Sequence, residues 1–554
     1  MPSTADTLLA AVRADPDADL PRLVYADALD DAGQPERAEF VRVQCELANL
    51  DEWDARRPAL EDREHELLDR HEAAWLGDLW QLDEWEWRRG FVDEVSGHYR
   101  AIWHLGQDGF AGHPVGRASV TTWRTGPNWP EGMPPGSWLA GLSYLSLADT
   151  ESFPALLRQL LRSPHLAGLT GLDVSGNPPL AELADVLADA SFLDGLRELS
   201  AGGPDHPGPN STGGLDARRL AGVLSASPLA RLRVPNCGIG WDGVGHLLAA
   251  RFGPELVEFD VSDNPLRYSE SITFDRLPVD AKLSRLDVSG TAAADIQLAG
   301  YLARSGLQRL TRLDANRSRA VGMTCGVIAQ TPHWPRLTGL RLHSCGLMPE
   351  ALAMLAVVPG PADIRLLDLA DNSLGPPGVA RLVAARWGGS LTWLALSRNG
   401  LDDMAVGALV AGGKFKHLRT LHLAFNVLTD ITAAILANAP SLAYLRILTL
   451  SQSQLTSAGV MLLLESSNWS LAGLGVSDCD LSAGLALRLA TSPRLRRLQW
   501  LDLSTNPRLG GDALMPLAES PHLSRLCELD IGGCDASDRV RDALRERLGR
   551  RLSD

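Results

Sequence analysis

Charged residues recur at a fixed spacing along much of this chain of 554 residues. Asp260, Asp287 and Asp314 follow one another at intervals of 27 residues, and Arg285 and Arg312 are separated by the same interval. Clustered carboxylates are candidate metal ligands, whereas mixed carboxylates and guanidinium groups are candidate docking residues for a protein. Carboxylates on consecutive elements would form a row rather than surround an ion, so this spacing favours docking.

The sequence lacks the motifs of several enzyme classes. It contains no GxxxxGK[ST] phosphate loop, no HExxH zinc motif and no GxSxG nucleophile elbow. Its seven cysteines are scattered without a CxxC pair, which argues against a zinc site or a disulfide framework. We therefore predict no enzyme activity, no catalytic or metal-binding residues and no cofactor.

The charge is distributed unevenly. Residues 1–100 contain 25 acidic and 11 basic side chains, which accounts for most of the net charge of -16. No basic footprint for nucleic acid or an anionic membrane is present. The chain has neither an apolar run of about 20 residues nor a secretory signal pattern at its start. We expect a cytoplasmic protein that binds neither nucleic acid nor membrane.

The fixed spacing belongs to an internal repeat. Leu391–Asn399 has the pattern LxxLxLxxN, and the same frame recurs fifteen times. The ninth positions of these frames are residues 150, 177, 204, 237, 264, 291, 318, 345, 372, 399, 426, 453, 479, 506 and 534, with intervals of 27 except for 33, 26 and 28. Leu-x-Leu alternates as a strand does, and a later apolar set such as Val379, Leu382 and Val383 has helical spacing. Each repeat is therefore predicted to be strand, turn, helix and turn.

The period, the LxxLxLxx(N/C) frame and the helical return resemble the ribonuclease-inhibitor type of leucine-rich repeat over roughly residues 110–535. The resemblance implies an α/β fold, a right-handed solenoid or horseshoe with strands on the concave face and helices outside. Asparagines at the ninth position, such as Asn399, are expected to satisfy buried backbone groups where the chain leaves the sheet. Cys237, Cys345 and Cys479 take the same position, and a small thiol is tolerated in a buried turn.

The N-terminal segment differs from the repeats. Leu8–Val12, Leu20–Leu29 and Pro35–Leu50 have the patterns of three short helices. Over about residues 4–50 the segment resembles the bacterial repeat-companion domain, on the pieces Tyr25-Ala-Asp27 and Arg37-Ala-Glu39-Phe40. The family usually has Trp where this chain has Ala28, which puts the packing of the module in doubt. The resemblance implies a bacterial setting and no chemistry.

We predict four regions: a helical companion-like module at 1–50, a tryptophan-rich cap with degenerate first repeats at 51–140, repeats at 141–535 and a capping helix at 536–554. Phe91–Val95 and Val115–Val120 have the patterns of degenerate strands. The tryptophans are expected to be buried in the cap, with a carbohydrate or peptide groove as the alternative. The run Gly202–Gly214 is expected to be an inserted surface loop. Val540, Leu544, Leu548 and Leu552 are spaced for the buried face of the last helix.

The third, fifth and seventh residues of LxxLxLxxN are expected to point away from the core. The candidate partner-binding residues at these positions are Arg231, Arg233, Glu258, Asp260, Arg285, Asp287, Arg312, Asp314, Arg341, His343, Asp368, Trp393 and His422. Two interpretations remain open: a favoured repeat sequence that hydrates an exposed strand, and a mixed-charge patch that docks a protein. We favour the first for any single residue and the second for the surface, with Arg312, Arg341 and Trp393 as anchors.

These observations predict a monomeric, non-enzymatic scaffold that binds an unidentified protein through the concave strand face. The alternative is a regulator of a GTPase or another enzyme, by analogy with other proteins of this repeat type. The acidic N-terminal segment is a competing surface for a basic partner. If the concave face is the binding surface, deletion of residues 1–50 is expected to matter little.

Overall fold

The computed structural model describes residues 4–50, 56–107, 110–121, 136–150, 154–177, 182–203, 215–266, 277–291, 307–318, 323–357, 359–469, 471–523, 525–548 and 552–553. The chain forms two compact units, which we call unit 1 (Met1–Asn264) and unit 2 (Pro265–Asp554). The sequence pattern did not predict this division, and each unit is described by itself. Within the described residues, no helix has the length and apolar character needed to cross a membrane.

Unit 1 begins with four helices. These are α1 (Thr4–Ala14), α2 (Asp19–Asp31), α3 (Pro35–Asn49) and α4 (Arg57–Leu76). The first three lie where the sequence predicted helices, and Pro35 occupies the first turn of α3, where its missing N–H is not needed. The later helices of unit 1 are α5 (Tyr99–Gln107), Pro154–Leu161, Leu183–Ala188, Ala217–Val223 and Trp241–Ala249.

The described strands of unit 1 are β1 (Glu84–Arg88), β2 (Phe91–Gly97), β3 (Arg117–Val120), β4 (Tyr144–Ser146), β5 (Gly171–Asp173), β6 (Glu198–Ser200), β7 (Arg231–Arg233) and β8 (Glu258–Asp260). β1 and β2 form an antiparallel hairpin, and β2 to β8 pair in sequence order as parallel strands. The hairpin turns at Gly90, which has a φ of 89°. A Cβ atom there would lie 2.6 Å from Val41 Cγ2, so the close approach of α3 requires glycine.

Unit 2 repeats one strand and one helix. Its described strands are β9 (Arg285–Asp287), β10 (Arg312–Asp314), β11 (Gly339–Arg341), β12 (Leu366–Asp368), β13 (Trp393–Ala395), β14 (Thr420–His422), β15 (Ile447–Thr449), β16 (Gly473–Gly475), β17 (Trp500–Asp502), β18 (Glu528–Asp530) and β19 (Leu552–Ser553). Consecutive strands from β9 to β19 pair in parallel. The described helices are Met323–Gln330, Pro349–Val357, Gly375–Ala384, Asp403–Ala411, Asp430–Ala437, Ser457–Leu464, Gly484–Thr491, Met515–Glu519 and Asp538–Leu548.

The register of the strands follows the repeat frame. Trp393, Leu394 and Ala395 of β13 lie opposite Thr420, Leu421 and His422 of β14, 27 residues later in each case. The frame leucines are buried, as at Leu391, Leu394 and Leu396, which are all 0% exposed. The architecture is therefore an α/β leucine-rich-repeat solenoid, because each strand–helix pair completes its core against the next pair.

The chain turns sharply after each strand. The residue before the ninth position has a positive φ in most described repeats, and it is usually not glycine, as at Asp371 (53°), Arg398 (51°) and Phe425 (60°). Residues with a side chain rarely adopt this conformation, because it crowds the Cβ atom. The buried asparagine that follows secures the turn: Asn426 donates from Nδ2 to the carbonyl oxygens of Leu396 and Leu423, at 3.0 and 2.8 Å. The structural role predicted for this position is confirmed.

Several expectations about the ends need correction. The last helix ends at Leu548, and Leu552 lies in strand β19 rather than on the helix. Trp103 is buried, as predicted for the tryptophan-rich region, but Trp80 is 64% exposed. Trp123, Trp129 and most of the Gly202–Gly214 run lie outside the described residues.

Candidate functional site

The aspartates at the fifth position of the repeat have a local structural role. In six repeats Oδ1 accepts a hydrogen bond from the backbone N–H two residues later, at 2.8–3.0 Å. These residues are Asp173, Asp260, Asp287, Asp368, Asp502 and Asp530. Because the bond holds the chain as it leaves the strand, recurrence of aspartate here is explained without a ligand. This geometry supports the interpretation of a favoured repeat sequence for single residues.

In unit 1 the predicted charged residues form an ion-pair network. Glu198 on β6 accepts from Arg231 at 2.9 Å and from Arg233 at 2.6 Å, and Arg233 also donates to Glu258 at 2.7 Å. Although burial lowers the pKa of Arg233, the hydrogen bonds and charges of Glu258 and Glu198 raise it above its usual value. Three predicted residues are thus joined through Glu198, which the prediction missed. Its third position in the frame, two residues after Leu196, was the available signal.

The network continues towards aromatic side chains that the prediction also missed. Arg117 on β3 donates to Glu94 on β2 at 2.8 Å, and its guanidinium carbon lies 4.0 Å from the ring centroid of Tyr144 on β4. Burial, and then the charges of Asp173 and Glu198, raise the pKa of Tyr144 to about 12. The solvent side of the sheet in unit 1 therefore presents charges that are largely paired with one another.

In unit 2 the predicted charges converge on one aspartate. Asp314 is only 8% exposed, and its strand β10 lies between β9 and β11, which carry arginines. Arg312 Nε and Arg341 donate to its Oδ2, at 3.3 and 3.5 Å. Asp287 lies opposite Asp314 in the register, and burial, together with the charge of Asp314, raises its pKa despite hydrogen bonds from Ser289. The like charges of the aspartate column are thus compensated by both Arg312 and Arg341.

The predicted aromatic anchor has a ring partner. Trp393 on β13 lies 5.1 Å from the His422 ring on β14, with an interplanar angle of 60°. His422 Nδ1 is 3.0 Å from the Thr449 hydroxyl on β15. Burial lowers the pKa of His422, against an opposing effect of Asp368. At neutral pH these three side chains are consequently uncharged, and they present an aromatic surface.

The remaining predicted residues take separate positions. Arg285 is exposed on β9, and Asp368 on β12 is half-buried. His343 follows β11, and its backbone N–H donates to Asn316 Oδ1 at 2.9 Å. Within the described residues, no three His, Cys, Asp or Glu side chains converge as a metal ion would require.

The cysteines at the ninth position act as hydrogen-bond donors. Cys237 Sγ lies 2.9 Å from the Ala201 carbonyl oxygen and Cys345 Sγ lies 3.2 Å from that of Ala315. Burial raises the pKa of Cys237 to about 12, so its thiol stays protonated and donates at neutral pH. These cysteines replace part of the asparagine role in the turn.

Comparison with known proteins agrees with the repeat frame. The sequence profile of the family described as "Leucine Rich repeat" matches residues 416–431, which contain β14. No curated protein matches this chain.

Solved structures with related architecture include a leucine-rich-repeat protein of Leptospira interrogans, 17% identical, with a TM-score of 0.39 over 82% of this chain and 98% of that chain. An internalin from Listeria monocytogenes is 16% identical, with a TM-score of 0.32 over 68% and 94% of the two chains. The ectodomain of an Arabidopsis thaliana membrane receptor kinase is 16% identical, with a TM-score of 0.31 over 76% and 49%.

Proposed function

We propose that this leucine-rich-repeat chain is a non-enzymatic scaffold that binds a protein partner through the solvent side of its strands. The observation that carries the proposal is the arrangement of Arg312, Arg341 and Trp393 on three strands of one continuous parallel ladder in unit 2. Arginine and tryptophan are the side chains that most often dominate binding energy at protein interfaces.

The state of these side chains supports their proposed role. Arg312 and Arg341 are half-buried and directed towards Asp314, so little side-chain freedom remains to be lost on binding. Trp393 is similarly restrained by the His422 ring. A surface of restrained guanidinium and indole groups is preorganised for contact with a partner.

The test combines affinity capture with substitution. The full chain is immobilised, proteins retained from a lysate of the source cells are identified, and the affinity of each purified partner is measured by calorimetry. We expect Arg312→Glu with Arg341→Glu, and separately Trp393→Ala, to weaken binding of the same partner by about 2 kcal/mol or more. Thermal unfolding of each variant establishes that the fold is retained.

A matched control is available on the helix side of unit 2. Arg381 and Arg386 are exposed, and reversing both charges changes the net charge as much as the Arg312 and Arg341 reversals do. Equal loss of affinity in the two double variants would show that net charge, not the strand face, governs binding. Retention of full affinity by Arg312→Glu with Arg341→Glu and by Trp393→Ala would contradict the assignment of the face.

The acidic N-terminal segment is tested in the same assay. Asp31 and Glu36 are exposed, and the double variant Asp31→Asn with Glu36→Gln removes both of their charges. We expect this variant to leave the affinity unchanged. A partner that is lost with this variant and not with the arginine variants would be bound by the acidic segment.

A further inference from the structure

The solvent side of strand β16 in unit 2 is formed by two glycines. These are Gly473 and Gly475, and the indole of Trp500 from β17 extends across them. A Cβ atom at either glycine would lie 2.9 Å from the ring, at Cε3 for Gly473 and at Cη2 for Gly475. The two glycines thus provide a seat for the six-membered ring of Trp500.

The seat has defined sides. The Ile447 and Thr449 side chains of β15 lie 3.4 and 3.2 Å from the same Cβ positions, so they border the glycine strand opposite Trp500. Trp500 is half-buried, which leaves part of the indole in contact with solvent. A tryptophan ring held in this way is an aromatic platform whose electron-rich face attracts cations.

The charges on the solvent side of these strands have one sign. The residues that β15 to β18 present there are Ile447, Thr449, Gly473, Gly475, Trp500, Asp502, Glu528 and Asp530, which include three carboxylates and no basic side chain. Glu528 lies directly opposite Trp500 in the register, and Asp530 lies opposite Asp502. The part of the ladder from β10 to β11 differs, because there Arg312 and Arg341 offset Asp314.

We infer that the Trp500 platform and its neighbouring carboxylates dock an arginine- or lysine-bearing segment of a protein partner. The inference rests on the proposed scaffold function and adds a second contact surface with a stated partner chemistry. A cationic side chain stacked on Trp500 would place its charge beside Asp502, Glu528 and Asp530, so that cation–π attraction and ion pairing act on the same group.

The test uses a fluorescein-labelled hexapeptide of alternating glycine and arginine, and its citrulline analogue, which has the same shape without charge. Fluorescence anisotropy with the full chain at low salt is expected to show binding of the arginine peptide and much weaker binding of the citrulline peptide. Trp500→Leu is expected to weaken binding about fivefold, while Trp500→Phe retains most of it because a ring remains. Asp502→Asn with Asp530→Asn is expected to weaken it similarly, since each asparagine Oδ1 can still accept the backbone bond of the turn.

The matched control is Glu519→Gln with Glu546→Gln, which removes the same charge from exposed helix positions. If this control weakens peptide binding as much as Asp502→Asn with Asp530→Asn, attraction is diffuse and the inference is wrong. Equal binding of the citrulline peptide, or full binding by Trp500→Leu, would also overturn it. These results are separate from the scaffold test, because that test depends on Arg312, Arg341 and Trp393.

Discussion

At the scale of single residues, the least expected feature is a buried guanidinium surrounded by aromatic rings. Arg37 of α3 is 8% exposed and donates to the Gly90 carbonyl oxygen at 2.6 Å. Its guanidinium carbon lies 4.9 Å from the ring centroids of both Trp75 and Trp87. Burial lowers the pKa of Arg37 to about 10, so the group remains charged at neutral pH and is stabilised by the ring faces.

His113 is a second buried polar residue in the same region. Its Nδ1 accepts from the Val92 N–H at 3.0 Å, and its Nε2 lies 2.9 Å from the Trp75 carbonyl oxygen. The first bond requires an unprotonated Nδ1, which fixes Nε2 as the donor of the neutral ring. Burial is the main cause of a pKa lowered from 6.5 to about 4.

The His113 site predicts loss of stability in mild acid. The unfolded chain takes up a proton near pH 6.5 and the folded chain only near pH 4, so the stabilisation is complete above pH 6.5 and is lost as the pH falls towards 4. The difference corresponds to about 3 kcal/mol. Urea unfolding at pH 7 and pH 4.5 should therefore show a smaller decrease for His113→Gln than for the natural chain.

The control for this prediction is His104→Gln, because His104 is exposed on α5. It should keep the full decrease of the natural chain between the two pH values. An identical pH dependence in His113→Gln and in the natural chain would show that His113 does not contribute.

Neither Arg37 nor His113 could be placed from the sequence. The contacts of Arg37 with Gly90 and of His113 with Trp75 join positions 53 and 38 residues apart, in a region outside the clear repeat. No fixed interval relates these positions, so their proximity depends on how α3, α4 and the β1–β2 hairpin pack. The sequence pattern contains local periodicity and carries no information on such packing.

At the scale of elements, the repeat frame was predictable because its spacing is strict. The interval of 27 residues is enough to place β9 to β18 in register with their neighbours, and Glu198 could have been found by the same rule. The exposure of individual positions was less predictable. Asp314 and Ala395 occupy the fifth position, yet both are buried, because the neighbouring strands carry long side chains such as Arg341 and His422.

The asparagine of the turn links consecutive elements. Asn426 Oδ1 accepts from the backbone N–H groups of Asn399 and Leu401, both at 3.0 Å, while its Nδ2 donates to carbonyl oxygens including that of Leu396. A single side chain thus satisfies backbone groups of its own repeat and the preceding one. Cysteine at the equivalent position supplies only the donor, as Cys345 does to Ala315.

Substitution of Asn426 tests this account. Asn426→Ala should lower the free energy of unfolding by about 3 kcal/mol or more, because several buried backbone groups lose their partner. Asn426→Cys should lower it less, since the thiol can donate to a carbonyl oxygen while the two N–H groups remain unsatisfied. Chemical unfolding of the two variants measures the difference, and equal losses would contradict the donor role given to the thiol.

At the scale of the whole molecule, the N-terminal helices are packed into unit 1. Besides the Arg37 contact, Gln44 donates to Glu64 of α4 at 2.8 Å and accepts from the Gly90 N–H of the hairpin. Phe40 lies 5.0 Å from the Trp75 ring and 5.2 Å from the Trp87 ring. These contacts run from the predicted 1–50 module into the predicted tryptophan-rich cap, so the helices cover the first strands of the sheet.

Deletion of residues 1–50 should therefore affect unit 1 structurally while leaving partner binding by the strand face of unit 2 unchanged. Without α3, the rings of Trp75 and Trp87 lose their buried partners, and hydrogen exchange in β1 to β3 should increase markedly. Exchange in β13 to β17 should stay as it is in the full chain, because stability in a repeat array depends on neighbouring repeats. Mass-detected hydrogen exchange on both proteins measures this directly.

The variant Asp31→Asn with Glu36→Gln separates packing from charge in that experiment. It lowers the negative charge of the module while α3 keeps Arg37, Phe40 and Gln44, so exchange in β1 to β3 should match that of the natural chain. Unchanged exchange in these strands after the deletion would mean that the helices are only appended to unit 1. Increased exchange in the charge variant would mean instead that the acidic side chains, rather than the buried contacts, hold the module in place.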